Sequence, residues 1–421
     1  MEKAIIKTKD GHKFEGILMP SRDKKITVIK LNNGYNIGIK NININSVKKE
    51  KTGGKTGTKQ EKIKQKENLP EIMIIHTGGT IASKVDYETG AVKPQFEPFE
   101  LLRMFPELKD MAKIKTKLLG NIFSENIRLE HYNLMIDTIK EQAKDKNIKG
   151  IVITHGTDTL HYSSAAMAFA LENINIPVVF VGSQRSSDRG SSDSFLNLIS
   201  AVSFIVNTNY NGVMICMHSS IEDKNALILN GVNARKLHSS RRDAFKAVNI
   251  KPIAIVNYEE KKIKIITKKT NSKGKLTVKK YNPKLKVGIV RSYPHMNSDV
   301  LKNYKDYDGL ILEGTGLGHF PIIEYDKYTK ENSKIKETLK ELCKKTPVFM
   351  TTQAVFGRIN MGVYSAGREL QELGVLGNYS TMCTETAYIK LCYLLSNYSK
   401  EKAKELMLKN LRGEITERDE V

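Results

Sequence analysis

The chain has 421 residues, 40% hydrophobic and 27% charged, a balance that excludes collagen, coiled-coil and disordered chains and leaves room for roughly two or three domains. Its longest apolar stretch, SSAAMAFALENINIPVVFVG, is broken by Glu172, Asn173 and Pro177, so no membrane span of about 20 residues is expected. The net charge of +22 is uneven: residues 1–69 hold 17 Lys/Arg against 7 Asp/Glu, and residues 257–286 hold 11 Lys against 2 Glu.

Two such patches suit the phosphates of a nucleic acid, and equally the solvated surface of a lysine-rich protein; both readings stand. The N-terminus, MEKAIIKTKDGHK, lacks the apolar run of a signal peptide, so the expected location is cytoplasmic. Cys216, Cys343, Cys383 and Cys392 show no CxxC spacing, which argues against a disulfide framework or a structural zinc and for buried small hydrophobes. No metal site is expected.

In chain order, residues 1–47 alternate short apolar segments (KAIIKT, KFEGILM, KITVIKL, YNIGIKNI) with turn sequences, among them NNG, and predict a small β-barrel domain. Residues 48–70, rich in Lys, Gly, Gln and Thr, offer no buriable face and read as a basic linker. Its GGKTGTK does not match GxxxxGK[ST] and follows no apolar strand, which excludes a phosphate-binding loop.

From residue 71 to about 285, strand-like runs (IMIIH, GIVITH, VVFVGS, GVMICMH, IAIVN) alternate with amphipathic stretches such as EHYNLMIDTIKEQAKD and SSAAMAFALENI. That alternation predicts an α/β fold with a doubly wound parallel sheet. The stretch KKIKIITKKTNSKGKLTVKKY predicts a hairpin turning at NSKG, and GTGLGHF at 314–320 a tight turn. LKVGIVRSY, DGLILEGTG, TPVFMTTQ, the helical TETAYIKLCYLLSN and a polar tail predict a smaller α/β domain over 286–421.

Ligands of open parallel sheets gather at the carboxyl ends of strands. Two strand ends here carry the same side chains: Thr77-Gly78-Gly79-Thr80 after IMIIH, and Gly156-Thr157-Asp158-Thr159 after IVITH. Glycines expose backbone N–H groups that can stabilise an oxyanion, and a threonine hydroxyl becomes a nucleophile once a base takes its proton. His76 and His155 directly precede the two turns and are expected to orient backbone rather than to react.

The complete TGGTIA (77–82) and HGTDT (155–159) loops resemble the two signatures of the asparaginase-type amidohydrolases. The resemblance implies that Thr80 is the acyl-forming nucleophile, that Thr157 and Asp158 act with a lysine, and that Gly79 and Thr157 serve the oxyanion. The lysine matches Lys236 in LNGVNARKLHSSRRDAF, about eighty residues after the HGTDT loop. GNIFSENIRLEHY matches the family's substrate loop and implies substrate contacts from Ser124 and Glu125, the latter in place of a more usual glutamine; Tyr87 in SKVDYETGAVKP matches its lid tyrosine. Glu385 reads either as a helix cap or as a residue that approaches the neighbouring subunit's site, and both readings stand.

A plain asparaginase explains the core but not residues 1–69, and the body also carries the loop GSQRSSDRGSSDSFLNLISA. With them, the whole chain resembles the D-subunit family of archaeal glutamyl-tRNA(Gln) amidotransferases. That implies a glutaminase that frees ammonia from glutamine, while an E subunit uses ATP and magnesium to convert Glu-tRNA(Gln) to Gln-tRNA(Gln). It implies no cofactor on this chain, a homodimer within a heterotetramer, and tRNA engaged through the complex. The alternatives are a free-standing cytoplasmic L-asparaginase with an added N-terminal domain, and a basic RNA-binding protein on an inactive hydrolase scaffold.

Overall fold

The computed structural model describes residues 3–19, 21, 23–31, 36–50, 66, 68–79, 81, 83–85, 92–94, 102, 105–185, 192–267 and 274–418. Strands β1 (Lys3–Thr8), β2 (Lys13–Met19), β3 (Ile26–Leu31), β4 (Asn36–Lys40) and β5 (Ile44–Glu50) form an antiparallel sheet ordered β4-β3-β2-β1-β5. Along β1 the side chains of Ala4, Ile6 and Thr8 are buried and those of Lys3 and Lys7 are exposed, the period of two that gives one wet face. Ile6, Ile29 and Ile39 make the core, joined by Ile37 and Ile44. Ile37 and Ile39 lie on one edge strand and Ile44 on the other, so the sheet curls upon itself as a small barrel does. β5 runs three residues past the expected end of this domain because Lys48, Lys49 and Glu50 pair with Ile5, Ala4 and Lys3.

The body begins with β6 (Glu71–His76) and continues through β7 (Ser83–Val85), β8 (Val92–Pro94), α1 (Leu108–Met111), β9 (Lys113–Leu118), α2 (Leu129–Gln142), β10 (Ile148–Thr154), α3 (Leu160–Ala170) and β11 (Leu171–Glu172). There follow β12 (Pro177–Val181), α4 (Ser194–Asn207), β13 (Gly212–His218), β14 (Ala226–Asn230), β15 (Ala234–Lys236), β16 (Phe245–Ala247), β17 (Ala254–Asn257), β18 (Lys262–Ile265) and β19 (Thr277–Val278).

Eight of these strands make one sheet, ordered β18-β17-β14-β13-β12-β10-β6-β9. The five from β9 to β13 are parallel, and β14, β17 and β18 extend the sheet antiparallel. Successive residues bury opposite faces: Met73, Ile75, Ile151, Ile153 and Phe180 join one core with α2 and α3, while Ile72, Ile74, Val152 and Val179 join another with α4. The sheet is therefore wound on both faces, as the alternation of elements predicts.

Three expectations need correction. IAIVN does not continue the parallel series; it is β17, antiparallel to β14. The two described strands of the lysine-rich stretch do not pair with each other, because β18 pairs with β17 and β19 pairs with β11; the expected turn at NSKG lies largely outside the described residues. A turn at 258–261 joins β17 to β18, where Lys261 takes φ +52° and Glu260 N donates to Asn257 Oδ1 at 2.9 Å. Finally, α3 is not amphipathic in place: every residue but Tyr162 is buried, because the helix lies between the sheet and a helix of the C-terminal domain.

That domain holds β20 (Val287–Arg291), α5 (Asp299–Lys302), β21 (Gly309–Gly314), α6 (Lys330–Lys345), β22 (Val348–Thr352), α7 (Ser365–Glu372), α8 (Thr384–Asn397) and α9 (Lys400–Met407). Its sheet is parallel, ordered β20-β21-β22. On α6 the buried Ile335, Leu339, Leu342 and Cys343 fall on one helical face. The turn expected at 314–320 is present: Thr315 N donates to His319 O at 2.9 Å, with Gly316 and Gly318 at positive φ. α8 packs on β21 and on α3 of the body, so it belongs to both cores. The polar tail is pinned to it by an ion pair with no exposure on either side, Lys390 Nζ to Glu414 Oε1 at 2.6 Å.

Candidate active site

β6 leads to β9 on one side of itself, and the chain then crosses over to β10 on its other side. The β6–β10 boundary is thus the point where the winding reverses, the place where α/β sheets open a crevice at their carboxyl ends. Four loops converge there from the ends of the neighbouring strands β9, β6, β10 and β12. They line a cleft of about 500 Å³.

Glycines let these loops touch. Gly78 has φ +134° and a Cβ there would lie 2.0 Å from Ile122 O; Gly79 has φ +86° and a Cβ would lie 2.7 Å from Gly156 N. Gly156 in turn leaves room for Ser124, whose Oγ a Cβ would meet at 2.9 Å. Thr159 Oγ1 donates to Ser124 O at 2.6 Å and ties the loop after β9 to the HGTDT loop. Without side chains at these three positions the β6 and β9 loops stack directly on the β10 loop.

Lys236 enters from the end of β15, whose register with β16 sets Lys236 opposite Phe245. Its Nζ donates to Thr157 Oγ1 at 2.8 Å and to Asp158 Oδ1 at 2.7 Å. The lysine side chain is nearly buried while the carboxylate remains largely in solvent. One cation is therefore held between a hydroxyl and an anion at the mouth of the cleft, an arrangement able to pass a proton.

Of the residues singled out in the sequence, Gly79, Ser124, Glu125, Thr157, Asp158 and Lys236 all line this one cleft. Ser124 is buried and Glu125 is exposed at the rim. Thr80 and Tyr87 lie outside the described residues.

Buried histidines flank these loops without lining the cleft. His76 Nδ1 lies 2.5 Å from Thr154 Oγ1, and the His155 Nδ1–H donates to Gly156 O at 2.7 Å. Burial pushes His155 down to about 4, and burial, then the neighbouring His155, pushes His76 down to about 3. His161 is likewise driven to about 3 by burial, then by Arg235 and Lys236. All three are neutral near pH 7 and buried; His155 holds the backbone of Gly156, as expected, and His76 meets the side-chain hydroxyl of Thr154.

Sequence reasoning missed Gln184, whose Oε1 lies 3.4 Å from Thr157 Oγ1. Its backbone is held by Asp193, a fully buried carboxylate that accepts from Gln184 N at 2.9 Å, Arg185 N at 3.0 Å and Ser183 Oγ at 2.9 Å. The signal was present in the position of GSQR at the end of the next parallel strand. The pairing of Arg235 with Glu385 Oε1 at 2.9 Å was also missed, because the two are 150 residues apart in different domains.

Family profiles match three parts of the chain: the asparaginase N-terminal domain over residues 71–271, the glutaminase/asparaginase C-terminal domain over 286–407, and the GatD N-terminal domain over 4–49. The D subunit of the glutamyl-tRNA(Gln) amidotransferase from Methanococcus maripaludis is 43% identical over 96% of this chain and 95% of its own length. The chain belongs to the D-subunit family of glutamyl-tRNA(Gln) amidotransferases. Another member of the D-subunit family, from Sulfolobus acidocaldarius, is 41% identical over 97% of this chain and 90% of its own.

The body of this chain is similar to solved asparaginases. The thermostable L-asparaginase from Thermococcus kodakarensis is 30% identical with a TM-score of 0.73, covering 82% of this chain and 99% of that one. L-asparaginase I from Vibrio cholerae is 28% identical with a TM-score of 0.69, covering 83% and 99%. Among the described residues no helix is long and apolar enough to cross a membrane, and no group of His, Cys, Asp or Glu side chains is arranged to hold a metal ion.

Proposed function

We propose that this chain is the glutaminase subunit of a glutamyl-tRNA(Gln) amidotransferase, hydrolysing glutamine to glutamate and ammonia. The observation that carries the reading is the seating of Lys236 on Thr157 and Asp158 beside the glycine contacts of the β6 loop. Full-length similarity to the D-subunit proteins, including the N-terminal 4–49 match, favours it over an asparaginase with an unrelated addition.

The Thr80 hydroxyl attacks the side-chain carboxamide carbon of glutamine and forms a tetrahedral oxyanion. Backbone N–H groups about Gly79 and Thr157 are the donors offered to it. The hydroxyl proton passes through Thr157, Asp158 and Lys236 to the departing nitrogen, the C–N bond breaks, and ammonia leaves a glutamyl ester on Thr80. Water then attacks the ester, its proton passing through the same groups to the Thr80 oxygen as the acyl C–O bond breaks, and glutamate departs. Ser124 and Glu125 hold the amino-acid end of the substrate, with Tyr87 closing over it. The chain supplies this chemistry without a bound cofactor.

The ammonia serves a partner E subunit that uses ATP and magnesium to activate the γ-carboxylate of Glu-tRNA(Gln). Two copies of this chain stand in the heterotetramer, in the cytoplasm, with tRNA(Gln) engaged through the complex. Ammonia release measured with and without the E subunit and glutamylated tRNA tests the reading. Glutamine turnover that depends on both supports it, and asparagine turnover indifferent to both would replace it with a metabolic asparaginase.

A further inference from the structure

In an extended strand neighbouring residues face opposite sides, and β15 ends on Arg235 and Lys236. Lys236 points to Thr157 and Asp158 in the cleft, whereas Arg235 points to the C-terminal domain and pairs with Glu385 at 2.9 Å. Glu385 stands in the first turn of α8, where the helix dipole favours a negative charge, and it is buried. Thr386, the next residue of that turn, donates from Oγ1 to Val232 O at 2.8 Å. One helical turn therefore grips the segment leading to Lys236 at two points.

The turn is itself anchored. Thr384 Oγ1 donates to Glu313 Oε1 at 3.1 Å and lies 2.9 Å from Thr351 Oγ1, at the carboxyl ends of β21 and β22. The Glu385 carboxyl has one partner for Oε1 in Arg235, and among the described residues its buried Oε2 has none. Burial raises this carboxyl, with the Arg235 guanidinium acting against it. A buried carboxylate with a single cationic partner is costly as a stability device, since apolar packing of the same volume does as well. Its value lies in fixing where Arg235 sits.

We infer that Glu385 is a positioning residue: from the C-terminal domain it holds Arg235, and so the end of β15, where the Lys236 ammonium reaches both Thr157 and Asp158. The inference rests on the reading of Lys236 as part of the proton path. Displacement of a reacting group by about 1 Å can cost about 10²-fold in rate. The loss falls on kcat rather than on KM, because neither Glu385 nor Arg235 lines the cleft.

The test compares Glu385→Gln, Glu385→Ala and Lys236→Ala in the full-length chain assembled with its partner, reading kcat and KM for glutamine and the thermal midpoint. Gln keeps the shape and the Thr386 contact but removes the charge. The expected result is a kcat lowered at least tenfold in Glu385→Gln, with KM within about twofold and a midpoint near that of the wild type. A fully active Glu385→Gln and Glu385→Ala beside an inactive Lys236→Ala would overturn this inference alone, as would a loss of kcat that only follows the loss of folded protein. A fully active Lys236→Ala would instead overturn the reading of the site.

Discussion

Lys236 Nζ lies 2.7 Å from Asp158 Oδ1, although 78 residues separate the two in the chain. The contact closes a path from β10, through α3, β11, β12, α4, β13 and β14, to a short strand pair outside the main sheet. Because Asp158 keeps most of its exposure while Lys236 is nearly buried, the lysine is the member whose removal changes the interior of the cleft.

Replacing Lys236 by Ala or Met is expected to lower kcat for amide hydrolysis by about 10²–10⁴-fold, the usual worth of a positioned proton-transfer group. KM should change much less. Steady-state kinetics on the assembled complex check this, and Asp158→Asn should fall between Lys236→Ala and the wild type.

Gly79→Ala is expected to abolish activity while leaving a folded protein. The new Cβ would lie 2.7 Å from Gly156 N, and the residue already has φ +86°, so the β6 loop must lift off the β10 loop. Circular dichroism should show an intact fold with a destabilisation of about 1–3 kcal/mol in denaturant titration.

Stability should fall as the pH drops below about 6.5. His76, His155 and His161 have folded pKa values of about 3 to 4, below their unfolded value of about 6.5, so the unfolded chain binds more protons in this window. The stabilisation is complete above pH 6.5 and is lost towards pH 4, by at most about 1.4 kcal/mol per pH unit for each histidine. His155→Gln should flatten the slope of thermal midpoint against pH.

Glu414→Ala should destabilise the protein by about 3–5 kcal/mol, because it leaves the Lys390 ammonium buried without its anion. The double replacement Lys390→Met with Glu414→Leu should cost less than either single change. Chemical denaturation of Lys390→Met, Glu414→Leu and the double replacement tests this, and additive losses would show that the pair is not a unit.

Much of this architecture was legible in the sequence because its signals are local. The period-two pattern of KAIIKT and the apolar runs IMIIH, GIVITH and VVFVGS gave their strands, and the two Gly/Thr turns lay at strand ends where a parallel sheet collects its ligands. Pairings decided by tertiary context were not legible. Nothing within IAIVN states that its neighbour β14 runs the other way, and KKIKII pairs with β17 rather than with the second half of its own lysine-rich stretch. SSAAMAFALENI reads as a half-buried helix because the helix that covers its outer face comes from residues 384–397. Arg235 and Glu385 were illegible as a pair for the same reason, and Gln184 because its task is set by Asp193 folding back beneath its loop.

In the proposed reaction this cleft cleaves the amide of glutamine through an ester on Thr80. Acid-quenching the assembled complex during glutamine turnover and mapping the chain by mass spectrometry tests it most directly. The expected result is a glutamyl adduct on the peptide that contains Thr80, absent in Thr80→Ala. A glutamyl adduct on Thr157 instead, or undiminished ammonia release by Thr80→Ala, would contradict it.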